Sequence, residues 1–365
     1  MALSPLVPDR PLGLRVGESG EVCDLASILG SSPIEDPATI RDRWHSTSES
    51  PSLFAKVASC GGDPVSIDLF SDGPHALIAG MTGSGKSELL RTWITSLALT
   101  HAPEKLTFLL IDYKGGSAFG SLVTLPHTVG FITDLDPALA DRAVVSLRAE
   151  LLRRERWLAE VAMSSLAEAF AVPGRPPALV VLVDEFATLS KEIPHFVDEL
   201  VDVAQRGRSL GIHLVLATQR PHGVVSDSIR ANTSLRIALR VADGDDSLDV
   251  IGTAEAASIH REDPGAAIIR VGQATSNLVR FAYSSGPLSM AARVASAPLS
   301  LNSGSSTGRI DQNRTAIDAA VRSIADAFRH SGVAPPRPPW VEPLPDVLHP
   351  ETIATSVIST SAYGR

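Results

Sequence analysis

An α/β fold, with a mainly parallel central sheet flanked by helices, is what this 365-residue sequence predicts, and three observations carry the prediction. From Gly73 to about Ser285, short β-rich apolar runs alternate with helical patterns, as strands joined by crossover helices must. The run Ala178 to Val183 is apolar without a break, which suits a strand buried on both faces. A third run, His75 to Ala79, leads into Gly80-Met81-Thr82-Gly83-Ser84-Gly85-Lys86-Ser87, the G-x-x-x-x-G-K-[ST] pattern of a P-loop set between a strand and a helix.

In order along the chain, residues 1–72 form a polar N-terminal extension that packs on the main domain. It has a short helix at Pro37 to Trp44 and a strand pair, Leu53 to Val57 and Pro64 to Leu69, around Gly61-Gly62. Residues 73–294 are the core. Its strands fall at His75 to Ala79, Leu106 to Asp112, Leu179 to Val183, His213 to Thr218 and Leu235 to Val241. Its helices fall at Ser87 to Leu99, Pro137 to Ala162 and His195 to Arg206. Ala266 to Arg270 and Asn277 to Tyr283 read as a closing antiparallel hairpin. Residues 295–365 read as a way out of the domain: a Ser-rich linker from Ser296 to Gly308, a helix from Ile310 to Arg329, and a proline-crowded tail from Val333 to Pro345.

Composition narrows the function classes. A hydrophobic content of 44% with 20% charged residues suits one large domain, with or without a small companion. Two cysteines, Cys23 and Cys60, make no disulfide framework. No apolar run reaches the length of a membrane span, and Met1 to Glu21 holds prolines and charges where a signal peptide needs an apolar core, so a soluble chain is expected. The net charge of −9, with no dense Lys/Arg block, argues against an overall electrostatic grip on nucleic acid and leaves room for a local basic channel between subunits.

The motifs give the chemistry. Glycines let the P-loop backbone turn successive N–H groups toward phosphate oxygens, and the following helix adds its positive N-terminus. Gly80, Met81, Thr82, Gly83, Ser84, Gly85, Lys86, Ser87 and Glu88 are therefore the expected nucleotide-binding residues. Lys86 would reach the β and γ phosphates of ATP, and Ser87 would ligate Mg²⁺. Asp184-Glu185 ends the apolar run at the rim where open α/β sheets bind ligands. Asp184 would hold the Mg²⁺ shell and Glu185 would polarise the attacking water, the alternative being two acids that open a solvated loop. Asp112 and Lys114 read either as a support that orders the Gly115-Gly116 loop or as a plain turn. Arg148, Arg153, Arg154 and Arg156, interleaved with Glu150, Glu155 and Glu160, read as a solvated helix face with i,i+4 pairs.

Beyond the P-loop, several motifs resemble the FtsK/SpoIIIE motor family. They are Leu110 to Gly116, Leu125-Pro126-His127 with Thr133-Asp134-Leu135, Asp184-Glu185-Phe186-Ala187, Arg206 to Leu214 running into Ala217-Thr218-Gln219-Arg220-Pro221, and Ile229 to Asn232. They occur in the family's order from about Ser66 to Val271. The resemblance implies a RecA-like P-loop NTPase that works as a hexamer or multimer and moves a polymer. Gly83 to Thr92, the Asp134-Leu135-Asp136 turn, Arg142-Ala143, Leu147 to Leu151, the Trp44 region and Pro338-Pro339-Trp340 to Pro345 are similar to the first ATPase domain of EccC, the motor of type VII secretion.

That resemblance carries further expectations. Gln219 would sense the γ-phosphate, a strand-end turn being its plainer reading. An arginine finger would come in trans from among Arg142, Arg206, Arg208, Arg230 and Arg236, each of which reads singly as a surface ion pair. His127 reads as structural. Implied partners are copies of this chain in a hexamer, other ATPase domains or membrane secretion subunits, and a secreted protein substrate, with DNA as the alternative polymer. The place implied is cytoplasmic, with the parent protein anchored at the cytoplasmic face of a membrane. EccC-like proteins have membrane helices upstream and further ATPase domains downstream, so the sequence reads as a piece of such a chain or a shorter soluble relative. Two alternative functions remain: a double-stranded DNA translocase, and a nucleotide-dependent scaffold with little turnover.

Overall fold

In the computed structural model, which describes residues 23–29, 34, 36–48, 50–112, 118–133, 137–274, 276–286 and 315–339, ten strands pair into one sheet. The order of elements is α1 (Leu25–Leu29), α2 (Pro37–Ser48), β1 (Phe54–Cys60), β2 (Asp63–Asp68), β3 (Ala76–Ala79), α3 (Lys86–Thr100), β4 (Leu106–Asp112), β5 (Thr128–Thr133), α4 (Pro137–Glu160), β6 (Ala178–Asp184), α5 (Phe186–Glu192), α6 (Pro194–Leu210), β7 (Ile212–Thr218), α7 (Asp227–Asn232), β8 (Leu235–Leu239), α8 (Gly244–Ile251), β9 (Ala266–Val271), β10 (Asn277–Phe281) and α9 (Ala316–Arg329). Strand order is β2-β1-β10-β9-β8-β3-β7-β6-β4-β5. The six strands from β8 to β5 in that order run parallel, and the other four join antiparallel.

The parallel strands are apolar on both sides because both sides are covered. Leu77, Leu109, Ile111, Val181, Val183, Leu214 and Leu216 pack with α4 to α8 on one face. Ile78, Phe108, Leu110, Val180, Leu182 and Ala217 pack with α1, α2, α3 and α9 on the other. This is the arrangement expected of uninterrupted apolar strands.

Described segments on both flanks of the P-loop core enter the same core. The N-terminal strand pair extends the main sheet, with Ala58 opposite Phe281 of β10. Helix α2 is pinned to the end of α3: Trp44 Nε1 donates to the Ala98 carbonyl at 3.0 Å, and Thr47 Oγ1 to the Thr100 carbonyl at 2.8 Å. Helix α9 was expected to lead out of the domain, yet it buries Ile317, Ala320, Val321 and Ile324 in the core face that α2 and α3 share. Its amphipathic period gives it an apolar stripe that only the domain can cover.

Strand β5 and helices α5, α7 and α8 had no counterpart in the sequence reading. The helices have only 6 to 8 residues, too few for a helical period to stand out. α8 nonetheless carries its own punctuation: Asp243 Oδ1 accepts from the Asp246 amide at 2.9 Å, and Gly252 closes it at φ 76°. β5 is an edge strand of half-covered residues around Gly130, so its apolar pattern is weak. The expectations for Tyr113-Lys114-Gly115-Gly116, Asp134-Leu135-Asp136, Ser296 to Gly308 and Trp340 to Pro345 lie outside the described residues.

The charged face of α4 needs a correction, because Arg154 is 2% exposed and not solvated. Its guanidinium donates to Glu150 Oε1 at 2.7 Å and to the carbonyls of Leu210, at 2.9 Å, and Pro177, at 2.7 Å. Glu150 and Arg154 stand one turn apart on the face that also buries Leu147, Leu151 and Leu158 against α6. Breaking one partner of such a pair costs about 3–5 kcal/mol. The outer arginines do pair as a surface would, Arg148 with Glu199 and Arg206 with Glu155, tying α4 to α6.

Four histidines are buried and bonded to backbone. His101 Nε2 lies 2.9 Å from the Phe54 carbonyl, His127 Nε2 2.7 Å from the His101 carbonyl, and His213 Nδ1 2.9 Å from the Pro74 carbonyl; His75 Nδ1 accepts from the Leu214 amide at 3.0 Å. Burial pushes His75 and His127 down to about 4, and His101 and His213 to about 3, from 6.5. Below pH 6.5 the unfolded chain binds protons that the folded chain refuses, so their contribution to stability is intact above pH 6.5 and is lost as pH falls toward 4 and then 3. The urea midpoint should therefore be level from pH 8 to 7 and fall steadily between pH 6.5 and 5; a level midpoint across that lower window would contradict it.

Candidate nucleotide site

Because β3 is paired on both sides, its loop is fixed at the root. Gly80 N donates to the Thr218 carbonyl of β7 at 3.1 Å, and Met81 N to the Arg240 carbonyl just past β8 at 2.9 Å. Ser84 N returns to the Met81 carbonyl at 3.0 Å, and Gly265 N, from the turn before β9, donates to the Ser84 carbonyl at 2.9 Å. Two glycines lie in close approach to their neighbours, Gly80 to a side chain and Gly85 to backbone. A Cβ on Gly80 would lie 2.5 Å from Ser84 Oγ, and one on Gly85, at φ 101°, would lie 2.8 Å from Gly265 N. Gly85 is the N-cap of α3, so the loop delivers its backbone to the N-terminus of a helix that is buried along most of its length.

The acidic pair arrives by way of β6, with β7 between it and the loop. Lys86 Nζ bonds Asp184 Oδ1, both groups being largely covered at 5% and 14% exposed. Glu185 caps α5 in the left-handed region, φ 65° and ψ 54°, a conformation that costs a non-glycine residue about 1–3 kcal/mol. Its Oε1 accepts from the Gln219 amide at 3.4 Å and lies 3.5 Å from Thr218 Oγ1. Thr82 Oγ1 meets Gln219 Oε1 at 3.0 Å. Loop, acidic pair and glutamine thus meet at the C-terminal ends of β3, β6 and β7, one continuous stretch of the sheet rim.

Other residues singled out above are placed as follows. Glu88 turns its carboxylate to Ser285, accepting from the amide at 3.2 Å and from Oγ at 2.6 Å, and pairs with Arg91, so toward a phosphate it can offer only backbone. Asp112, at the end of β4, accepts from the Ala118 amide at 2.8 Å. Arg236 lies at the start of β8, and Arg206 and Arg208 at the end of α6, all at the edge of the sheet away from the loop. Arg230 is tied to Asp249 at 2.9 Å, and Arg142 is exposed near the start of α4. Sequence reasoning missed Arg240, whose guanidinium lies 2.7 Å from Met81 Sδ. Its signal was available, since it follows a parallel strand onto the rim that holds the loop.

The donor set fits a magnesium nucleotide. Closely approached glycines root the loop, and a hydroxyl at Ser87 and the Asp184 carboxylate are oxygen donors of the hard kind that Mg²⁺ prefers. Fold and site together define a P-loop ATPase-type domain. Residues 38–223, about half the chain, match the profile of the FtsK/SpoIIIE family, and the chain belongs to that family. It is 42% identical over 246 residues to the type VII secretion system protein EssC of Staphylococcus aureus, and 34% identical over 333 residues to the ESX secretion system protein EccC of Geobacillus thermodenitrificans. Those matches cover 65% and 85% of this chain but only 16% and 22% of the relatives' own lengths. Among solved structures, the cytoplasmic domain of the Thermomonospora curvata type VII secretion ATPase EccC superposes with a TM-score of 0.75 at 29% identity, covering 89% of this chain and 36% of that one. Among the described residues no helix is long and apolar enough to cross a membrane.

Gly85→Ala should destabilise the fold, because backbone atoms of the Gly265 turn stand where the methyl must go. A thermal melt should fall by several degrees, the equivalent of about 2 kcal/mol or more; an unchanged melt would show that the turn gives way freely.

Proposed function

We propose that the domain binds Mg-ATP and hydrolyses it, and that the cycle drives or gates protein export through a type VII secretion system. The observation that carries the reading is the meeting of Lys86 with Asp184, with Glu185 and Gln219 beside them on the strand ends. Loop amides and Lys86 hold the β and γ phosphates and offset their charge. Ser87 and Asp184 would hold Mg²⁺, which would supply positive charge that offsets the charge of the phosphates. Glu185 accepts the proton of the attacking water at its carboxylate, and its strained backbone fixes that carboxylate beside Thr218 and Gln219. Gln219 places an amide where the γ-phosphate leaves, on the segment that also touches Thr82 of the loop.

The export reading draws support from relatives that carry type VII secretion names and from the chain's acidity; a DNA translocase is not favoured by either. The domain works in the cytoplasm as part of a longer protein anchored at the membrane. It assembles with further ATPase domains and copies of itself, and one of the five candidate arginines completes the neighbouring site in trans.

Steady-state ATP hydrolysis measured over a wide range of protein concentration, with and without linear duplex DNA, tests the whole reading. Turnover per subunit should rise with concentration and ignore DNA. Stimulation by DNA would favour the translocase, and turnover independent of concentration would remove the trans arginine. Glu185→Gln should bind Mg-ATP as the parent does and lose at least about 100-fold in turnover, while Lys86→Ala should lose binding. Equal turnover in Glu185→Gln would take that residue out of the chemistry.

A further inference from the structure

The last residue of β7, Thr218, is fully buried, and with His213 it supplies the polar side chains of an otherwise apolar strand. Its place between the loop and the acidic pair is set by register. Ala79, the last residue of β3, lies opposite Thr218, and Val183 of β6 lies opposite Leu216, so that just beyond them Glu185 comes level with Thr218. Side chains alternate along a strand. Leu214 and Leu216 pack in the layer of α5 and α6, Val215 and Ala217 in the other, so Thr218 turns to the layer in which Glu185 caps α5.

Backbone and side chain of Thr218 are both engaged. Its carbonyl accepts from the Gly80 amide, the first of the glycine loop, at 3.1 Å. Its hydroxyl oxygen accepts from the Arg220 amide at 3.2 Å and donates to Glu185 Oε1 at 3.5 Å. With the Arg220 amide directed at a lone pair of that oxygen, the single hydroxyl proton is left for the carboxylate. The Gln219 amide is directed at the same carboxylate oxygen from 3.4 Å. A pair of donors on one oxygen fixes how the carboxylate is turned, and contacts of this length at catalytic groups commonly shorten once substrate is in place.

We propose that Thr218 is a positioning residue for hydrolysis: its hydroxyl holds the Glu185 carboxylate in register with a loop that its own carbonyl anchors. The group that takes the proton and the amides that hold the phosphates then share one residue as their reference. The inference rests on the reading of Glu185 as proton acceptor. It gives a reason for a hydroxyl at the end of a strand whose packing alone would be served as well by valine.

Steady-state turnover and calorimetric Mg-ATP affinity of Thr218→Val and Thr218→Ser, each with Glu185 intact and in the Glu185→Gln background, test it. Valine keeps the branched shape and drops the hydroxyl; serine keeps the hydroxyl and drops the methyl. Thr218→Val should lower kcat about tenfold, with KM and Mg-ATP affinity within about twofold of the parent, and Thr218→Ser should recover most of that loss. In Glu185→Gln, Thr218→Val should change the residual turnover by less than about twofold, because no proton acceptor is left to position. Thr218→Ala, which also lacks the hydroxyl, should behave as the valine variant does and takes its place if a melt shows that valine does not fold. Parent-like kcat without the hydroxyl, a serine variant as slow as the valine one, or a Thr218→Val loss that recurs in full in Glu185→Gln would overturn the inference, while the loss of turnover in Glu185→Gln would leave the reading of Glu185 standing. Undiminished turnover in Glu185→Gln would overturn both.

Discussion

Because β3 is held between β7 and β8, the first amides of the glycine loop extend two hydrogen-bond ladders at once, to the carbonyls of Thr218 and Arg240. The rest of the site depends on that double anchorage. It fixes where the loop starts, and the close approaches at Gly80 and Gly85 leave it one path to the head of α3. Lys86 is then delivered to Asp184 two strands away, a distance that only a rigid sheet can hold constant. A loop rooted on one neighbour could tilt, and the backbone donors that suit a phosphate would point in different directions in different molecules.

Burial raises the stakes of each polar contact. Lys86, Asp184 and Glu185 sit where water is scarce, so their mutual placement matters more than it would on an open surface. Glu185 adopts a backbone conformation that a glycine would take more readily, and it is held there by the helix it caps and by the end of β7. Strain kept at the end of a strand beside a glycine loop is the usual company of a reacting group. Elsewhere the same low polarity serves architecture alone: Arg154 and Glu150 form a buried pair that bonds three segments together at the edge of the sheet far from the loop.

The flanks of the chain are structural participants. Helices α2 and α9 cover the face of α3 that the sheet leaves open, and β1, β2, β9 and β10 continue the sheet beyond β8. Their contribution explains how a helix as apolar as α3 can follow the P-loop without exposing a surface that would aggregate. It also couples the loop to a turn far along the chain, since Gly265 closes directly onto Ser84.

The sequence by itself determined the parallel core and the loop. Apolar runs at 76–79, 106–112, 178–184 and 212–218 can be satisfied only between two helical layers, and the spacing of Gly80, Gly83, Gly85, Lys86 and Ser87 encodes backbone geometry that few other residues permit. Short helices such as α5 and α7 were not legible, because six or seven residues hold no period of their own and form only against the packing they complete. Tertiary structure alone decided which strands are neighbours, that Arg154 is buried while Arg148 is not, that Glu88 faces Ser285, and that the end helix returns to the core. Each of these is a pairing between residues far apart in the chain. A local pattern records which side of an element must be covered, and only the folded chain supplies the element that covers it.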